Sequence, residues 1–320
     1  MKRLLIVYNP HSSGAVDVAQ EVLKPARLLK GYMVGKYEVV KIGIEQNIKN
    51  LAKLLKDDDI LVAAGGDATG VIAVNAIMQS GRDVTLAVLP YGNFNDLART
   101  LGTNRFKDIF DLDLSFEDRK LGRTALSVSE KDGSGRIYPL DIIVDGEHWR
   151  YATCYVTIGM MAEAVQLYDS VKMRRVLKTW WGRYFGSYLY LAGWYFKNRR
   201  NKGMLPEFRL NGELQPKKTS DYMAVNGKSM ARVMKGSNDW DKPHEFRSSI
   251  GRFMNFWRLA GMMAKSMLIK VPGVESRGDI LEFAQPSRAK IQAEGESLVF
   301  EGVKRIEIRK SRQSLKVITG

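Results

Sequence analysis

The chain has 320 residues, a length that favours two domains, because single hydrophobic cores seldom grow beyond about 250–300 residues. Its 45% hydrophobic content is typical of a globular protein, and its single cysteine, Cys154, excludes an internal disulfide framework and favours a reducing compartment. The formal net charge of +15 predicts a polyanionic partner: nucleic acid, nucleotide phosphates or an anionic membrane surface.

The N-terminal sequence carries no recognisable leader. Its apolar run, Leu4–Tyr8, is shorter than the apolar core of a signal peptide. No stretch approaches the roughly 18 consecutive apolar residues that a spanning helix needs. We therefore expect a cytoplasmic protein.

The first third of the sequence alternates strand-like and helix-like segments. The predicted strands are Arg3–Tyr8, Tyr37–Ile42, Ile60–Ala64 and Val84–Leu89. The segments with helical spacing are Ala15–Lys30, Ile48–Leu55 and Val71–Met78. This alternation predicts a doubly wound α/β domain with a parallel sheet, which binds ligands at the carboxyl ends of its strands.

Three polar, glycine-bearing loops follow predicted strands. They are Asn9–Gly14 after the first, Gly65–Gly70 after the third and Pro90–Arg99 after the fourth. A strand that ends in a glycine turn and re-enters a helix directs backbone N–H groups outward and can cradle phosphate. Any one loop alone can equally be a tight turn without a ligand. Three loops at one sheet edge favour a binding site.

The pattern becomes β-rich after about Asp113. The predicted segments are Ala125–Ser129, Arg136–Val144, Trp149–Ile158, Glu207–Leu210 and Asp221–Val225. Turn dipeptides such as Asp145-Gly146 and Asn211-Gly212 lie between them and suit hairpins. This part of the chain therefore predicts an antiparallel β-sandwich, with a domain boundary near Leu114–Gly122.

The motifs resemble those of the diacylglycerol kinase-like lipid kinases, which include bacterial lipid kinases and the sphingosine kinases. The resemblance rests on Asn9-Pro10 with Ser12-Ser13-Gly14, on Gly65–Thr69 and on Leu89–Arg99. Residues 158–163, 186–196 and 293–296 also look like stretches of this family. The resemblance implies an NAD kinase/diacylglycerol kinase-like nucleotide domain at residues 1–118. It also implies a β-sandwich lipid-substrate domain at residues 119–320, whose last strands pack back toward the first domain.

The resemblance further implies a lipid kinase that uses ATP and Mg²⁺ and transfers the γ-phosphoryl group to a diacylglycerol-like lipid hydroxyl. The nucleotide-binding residues would be Asn9, Pro10, Ser12, Ser13, Gly65, Gly66, Ala68, Thr69, Gly92, Asn93, Asn95 and Asp96. The catalytic residues would be Glu296, Glu294 and Asp67, with Asp67 and Glu294 as Mg²⁺ ligands. Asp239 and Asp241 stand where some relatives hold a structural Mg²⁺.

The nucleotide loops depart from the family pattern. Ala68 replaces a glycine, and Val71-Ile72 replaces an Asn-Glu pair. Asn93 replaces a threonine, Phe94 replaces a glycine, and Lys41-Ile42 stands where a threonine is expected after the second strand. An alternative is therefore a non-catalytic lipid- or membrane-binding relative with a degenerate nucleotide site. An NAD kinase-like phosphotransferase is a second alternative, against which Asn95–Arg99 argues.

Three tripeptides fit the acid-Gly-Glu pattern of the catalytic base, counting asparagine as an acid equivalent. They begin at Asp145, Asn211 and Glu294, and two or more should be simple hairpin turns. Only the third has the family's position. We expect Glu296 to be the base with Glu294 beside it, and the reverse assignment remains open.

Residues 171–202 form an aromatic-basic segment that contains no acidic residue. Its candidate membrane contacts are Trp180, Trp181, Tyr188, Trp194, Lys197, Arg199 and Arg200. Aromatic rings flanked by cations favour peripheral attachment to the anionic inner face of the membrane. The alternative is a core helix with a solvated basic rim. We expect no nucleic-acid partner and no zinc site, and a homodimer remains open.

Overall fold

The computed structural model describes most of the chain outside the aromatic-basic segment. The described residues are 2–12, 14–29, 31–92, 95–106, 110–113, 117–118, 123–124, 127–130, 134–159, 205–216, 219–230, 234–252, 269–270, 273–294 and 296–320, with the positions 162, 179, 181, 192, 193, 196 and 261. They divide into two compact units. Unit 1 comprises Met1–Pro139, Trp240–Pro243 and Ser311–Gly320, and unit 2 comprises Leu140–Asp239 and His244–Lys310.

The described part of the chain is rich in strands. The strands are β1 Lys2–Tyr8, β2 Tyr32–Glu38, β3 Ile60–Gly65, β4 Thr85–Pro90, β5 Phe110–Asp113, β6 Glu117–Asp118, β7 Arg123–Thr124, β8 Ser127–Glu130, β9 Ser134–Ile137, β10 Leu140–Val144, β11 Glu147–Ala152, β12 Tyr155–Gly159, β13 Phe208–Leu210, β14 Glu213–Leu214, β15 Thr219–Val225, β16 Ser229–Met230, β17 Met234–Lys235, β18 Phe246–Arg252, β19 Val274–Ser276, β20 Gly278–Ala293, β21 Glu296–Lys310 and β22 Leu315–Ile318. The helices are α1 Ala15–Val18, a π-helical turn at Ala19–Leu23, α2 Lys24–Ala26, α3 Ile44–Leu54, α4 Asp67–Ser80 and α5 Asp96–Leu101.

Unit 1 is built on a mainly parallel sheet. Its described strands follow the order β2-β1-β3-β4-β22-β9, with β9 antiparallel to β22. The central strand β3 is buried along its whole length, as its continuous apolar sequence predicts. The C-terminal strand β22 pairs in parallel with β4, so the end of the chain joins the N-terminal sheet.

The second strand differs from its predicted position. We predicted Tyr37–Ile42, but β2 spans Tyr32–Glu38 and pairs with β1 over that length. The prediction followed the apolar pair after Glu38. The side chain of Asn47 binds both backbone polar groups of Val40, with its Oδ1 accepting from the Val40 N–H at 3.1 Å and its Nδ2 donating to the carbonyl at 2.9 Å. These bonds take the place of strand pairing there.

The predicted helix boundaries also move. The helix predicted at Ala15–Lys30 ends at Ala26 and contains a π-helical turn, and the helix predicted at Ile48–Leu55 begins earlier, at Ile44. The apolar helix after the glycine turn, predicted over Val71–Met78, extends from Asp67 to Ser80. It is buried on nearly all sides from Thr69 to Met78, which explains its unbroken apolar sequence.

The predicted strand Arg136–Val144 is two strands in different sheets. β9 binds β22 in unit 1, whereas β10 binds β21 in unit 2. The break falls at Pro139, which has no N–H group to donate to a sheet. Unit 1 therefore extends to Pro139, whereas the sequence predicted a boundary near Leu114–Gly122. The predicted strand Trp149–Ile158 likewise divides into β11 and β12.

Unit 2 contains one large antiparallel sheet. Among the described residues its main order is β11-β10-β21-β20-β12-β15-β18-β19, with β13 also bound to β20 and β14 to β13. The longest strands, β20 and β21, pair with register shifts near Ser287. Buried residues such as Tyr222, Phe208 and Phe246 form its core. The chain is thus a mixed α/β protein, in agreement with the predicted class.

Within the described residues, no helix combines the length and the apolar composition that crossing a bilayer requires.

Candidate functional site

The predicted loops of unit 1 begin at one edge of its sheet. In the parallel register Tyr8 lies opposite Ala64, and Gly65 lies opposite Pro90. The loops after β1, β3 and β4 therefore leave the sheet side by side. This arrangement is the one that open parallel sheets use to bind ligands.

The Gly65-Gly66 turn joins β3 to α4 by close packing. A Cβ atom on Gly65 would collide with the side chain of Thr69, and a Cβ atom on Gly92 would collide with Gly66. Gly66 precedes the first turn of α4, and its carbonyl accepts from Thr69 N at 3.0 Å and Gly70 N at 3.1 Å. The N–H groups before Thr69 lie too early in the first turn to find an acceptor within the helix. The start of α4 is therefore suited to an anion.

We call the loops after β1, β3 and β4 the first, third and fourth loops, by the number of the strand they follow. Asp67 connects the third loop to the fourth. Its Oδ1 accepts from the backbone N–H of Asp96 at 2.8 Å, and its Oδ2 accepts from that of Asn95 at 3.2 Å. Each carboxylate oxygen has a second lone pair, so these bonds are compatible with a metal ligand. The carboxylate thus has a clear structural role, which its motif alone did not indicate.

The fourth loop is held by Asn95. This residue has a positive φ of 57°, and its side chain bonds the Gly92 backbone, accepting from N at 2.9 Å and donating to O at 2.8 Å. Asp96 is buried at the start of α5. Asn93, a predicted nucleotide residue, lies outside the described residues, as does the neighbouring Phe94.

The first loop folds around Asn9. The Asn9 side chain accepts from His11 N at 2.9 Å, and its carbonyl accepts from Ser12 N at 3.1 Å and Ser12 Oγ at 2.9 Å. Pro10 is partly buried, and Ser13 lies outside the described residues. A Cβ atom on Gly14 would meet the carbonyl of Tyr91, so the first and fourth loops pack together.

Tyr91 adds a second connection between these loops. Its hydroxyl donates to Glu21 Oε2 at 2.9 Å, in the π-helical turn after the first loop. Burial, followed by the hydrogen bond with Glu21, raises the pKa of the Tyr91 phenol, which therefore stays protonated at neutral pH. Sequence reasoning missed this contact because nothing local links the two positions.

The carboxylates predicted for catalysis lie in unit 2, where Glu294 is in the β20–β21 turn and Glu296 is the first residue of β21. Ala293 pairs with Glu296, and Glu294 has the positive φ of 50° that suits a two-residue hairpin loop. Glu294 is only 3% exposed, whereas Glu296 is partly exposed. The other two candidate tripeptides also form hairpin turns, at Asp145-Gly146 and Asn211-Gly212.

Glu294 is anchored by buried partners in unit 2. Its Oε1 accepts from Thr153 Oγ1 at 2.5 Å and from the backbone N–H of Cys154. Burial and these bonds make Glu294 a poor group to reach a substrate directly. Of the two carboxylates, Glu296 is the more accessible.

The anchoring continues through two further buried side chains. Asn226 Nδ2 donates to the Thr153 carbonyl at 2.7 Å, and Asn226 Oδ1 accepts from Lys310 Nζ at 2.5 Å. Lys310 Nζ also donates to the Asp239 carbonyl at 2.7 Å. Sequence reasoning missed Thr153, Asn226 and Lys310, since no motif contains them. These residues join three separate stretches of unit 2.

The aspartates considered for a structural Mg²⁺ occupy different surroundings. Asp239 is buried in unit 2 with its Oδ2 3.8 Å from Arg247 Nε, whereas Asp241 is exposed and belongs to unit 1. Within the described ranges, no group of three or more His, Cys, Asp or Glu side chains is arranged to hold a metal ion. The structural Mg²⁺ site therefore remains a prediction.

Most of the aromatic-basic segment lies outside the described residues. This applies to Trp180, Tyr188, Trp194, Lys197, Arg199 and Arg200. Two of its described aromatic side chains are exposed, Trp181 at 71% and Phe196 at 53%. Exposed large aromatics are compatible with an interfacial surface.

Comparison with known proteins finds a family match for the part of the chain that carries the glycine turn. Residues 3–119 match the family model of the diacylglycerol kinase catalytic domain. This match covers about a third of the chain, so the likeness concerns the part that carries the glycine turn. It is 36% identical over 104 residues to the diacylglycerol kinase of Staphylococcus aureus (strain MRSA252), and the alignment spans 31% of this chain and 32% of that relative.

Solved structures extend the likeness to the whole fold. A diacylglycerol kinase structure from Bacillus anthracis str. Sterne has a TM-score of 0.63 at 15% identity, over 100% of this chain and 97% of that chain. Another structure from the same organism gives a TM-score of 0.64 at 16% identity with the same coverage. At this identity the likeness concerns the fold alone.

Proposed function

We propose that this chain is an ATP- and Mg²⁺-dependent lipid kinase that phosphorylates a hydroxyl of a diacylglycerol-like lipid. The observation that carries the proposal is the Gly65-Gly66 turn, which opens the N-terminus of α4 and is tied to the fourth loop through Asp67. This turn lies within the stretch that matches the catalytic-domain family. Unit 1 would be the nucleotide domain of the NAD kinase/diacylglycerol kinase-like type, and unit 2 the β-sandwich domain for the lipid.

The loops of unit 1 would hold the nucleotide phosphates. The dipole of α4 and the outward N–H groups of its first turn favour the phosphate charge. Bound Mg²⁺ would neutralise charge on the phosphates. Mg²⁺ takes oxygen ligands, and the partly buried carboxylate of Asp67 fits that role better than the carboxylate of Glu294, which is only 3% exposed.

Glu296 would act as the base. The lipid hydroxyl gives its proton to the Glu296 carboxylate while its oxygen forms a bond to the γ-phosphorus. The bond from that phosphorus to the bridging oxygen breaks, and the bridging oxygen leaves with ADP. Glu294 would keep the β20–β21 turn in place through Thr153 and Cys154.

Three of the residues that depart from the family pattern, Ala68, Val71 and Ile72, fit the helix that follows the turn. Ala68 is exposed in α4, where alanine is well suited to the helix, and it does not occupy a position of positive φ. Val71 and Ile72 are each 1% exposed and pack inside unit 1. These placements favour a working nucleotide site over a degenerate one. The family match likewise favours a lipid kinase over an NAD kinase-like enzyme.

Product analysis tests this proposal. Incubation with γ-³²P-labelled ATP, Mg²⁺ and diacylglycerol in mixed micelles should yield a labelled lipid on thin-layer separation. Asp67→Ala should lower ATP affinity roughly 10–100-fold, because two N–H groups of the fourth loop lose their acceptor. Asp57→Ala, at an exposed position of the same unit, is the matched control and should retain activity. Failure of the wild type to label any lipid of a total extract would refute the proposal.

We also propose that the aromatic-basic segment attaches the protein to the anionic inner face of the membrane. Each basic side chain near such a surface contributes about 1 kcal/mol, an attraction that salt screens. Replacing Lys197, Arg199, Arg200 and Lys202 with glutamine should sharply reduce co-sedimentation with phosphatidylserine vesicles at low salt. The matched control replaces exposed lysines of unit 1, Lys41, Lys49, Lys53 and Lys56. Vesicle binding that ignores both salt and the first set of charges would contradict this.

A further inference from the structure

Glu38 lies at the same edge of the unit 1 sheet as the loops proposed to bind the nucleotide, but it belongs to no predicted motif. It is the last residue of β2 and pairs in register with Tyr8 at the end of β1. Tyr8 in turn lies opposite Ala64, just before the Gly65-Gly66 turn. Two strand spacings, about 10 Å, separate Glu38 from that turn along the sheet edge.

One oxygen of Glu38 is fixed by two donors. Glu38 Oε1 accepts from the Tyr8 hydroxyl at 2.7 Å and from Lys36 Nζ at 2.9 Å. The hydrogen bond from Lys36, and then that from Tyr8, lowers the pKa of the Glu38 carboxyl, which is therefore charged at neutral pH. The side chain is 43% exposed, and its Oε2 makes no hydrogen bond with the part of the chain that the structure describes. It is thus an oriented acceptor at the ligand-binding edge.

The charge of Glu38 limits what it can bind. A carboxylate repels phosphate and accepts hydrogen bonds from hydroxyl or amino groups. A nucleotide whose phosphates lie at the glycine turn extends its sugar about as far as Glu38. In dinucleotide-binding folds, an acid that follows the glycine-rich turn accepts from a ribose hydroxyl. Glu38 differs in that it precedes the Gly65-Gly66 turn in the chain and ends a strand two positions from β3 in the sheet.

We propose that Glu38 binds the ribose of the nucleotide, with Oε2 accepting a hydrogen bond from the 2′- or 3′-hydroxyl. This inference rests on the proposed nucleotide site and adds a sugar specificity to it. Tyr8 and Lys36 orient the carboxylate for this contact. The site should therefore prefer ribonucleotides to deoxyribonucleotides.

Calorimetry with ATP, 2′-deoxy-ATP, 3′-deoxy-ATP and ITP tests the inference on the full chain. A lost hydrogen bond to a charged acceptor costs roughly tenfold or more in affinity. The wild type should bind ATP and ITP similarly and at least one deoxy analogue about tenfold more weakly. Glu38→Gln should weaken ATP binding about tenfold, leave that deoxy analogue unaffected and so abolish the preference. Glu45→Gln, at an exposed position of α3, is the matched control and should leave the preference intact.

The outcomes separate the two proposals. Equal binding of ATP and both deoxy analogues by the wild type, or a preference that survives in Glu38→Gln, overturns the ribose contact and leaves the nucleotide site standing. Weak binding of ITP with full binding of the deoxy analogues places an adenine amino group at Glu38 and also overturns it. A wild type that binds no nucleotide overturns both proposals.

Discussion

Replacing Glu296 with glutamine is expected to lower kcat about 10²–10⁴-fold while ATP affinity stays nearly unchanged. A lipid hydroxyl is a weak nucleophile near neutral pH, and a positioned carboxylate that accepts its proton acts mainly in the transition state. Glutamine preserves the shape and most of the hydrogen bonding but cannot take the proton. Initial rates with labelled ATP, together with calorimetric ATP affinity, measure the two quantities separately.

Glu294→Gln is the companion variant. Glu294 is 3% exposed and accepts from Thr153 and Cys154, so its replacement should lower thermal stability more than it slows proton transfer. Full activity in Glu296→Gln with an inactive, well-folded Glu294→Gln would reverse the two roles.

Replacing Lys310 with methionine is expected to destabilise unit 2 by roughly 2–5 kcal/mol. Lys310 is 6% exposed, and its ammonium donates to Asn226 Oδ1 and the Asp239 carbonyl. Methionine fills a similar volume but leaves both oxygens without this donor in a buried site. Urea unfolding followed by fluorescence measures the change.

Lys304→Met is the matched control, because Lys304 is an exposed lysine of the same strand, β21. It should change the free energy of unfolding by less than about 0.5 kcal/mol. Equal effects of the two substitutions would show that the buried bonds of Lys310 contribute no specific stability. Since Asn226 also holds the Thr153 carbonyl, Lys310→Met should in addition lower kinase activity at temperatures where the protein stays folded.

The sequence by itself determined the elements whose local signal is strong. Continuous apolar runs placed β1, β3 and β4, and glycines marked the turn at Gly65-Gly66. Asp-Gly and Asn-Gly dipeptides placed two hairpins correctly. Burial and backbone conformation leave direct traces in residue type, which is why these features could be predicted.

Only the tertiary structure decided which partners the polar side chains find. The apolar pair after Glu38 is typical of a strand, but the side chain of Asn47 binds the backbone of Val40 instead. The segment Arg136–Val144 looked continuous, yet its halves pair with strands far away in the chain.

The same holds for the candidate site. The motif marked Asp67, but not its bonds to Asn95 and Asp96, and no motif marked Glu38 or Lys310. Such contacts join residues far apart in the chain, so their geometry depends on strand register and loop packing. Local sequence records neither, and the fold had to supply them.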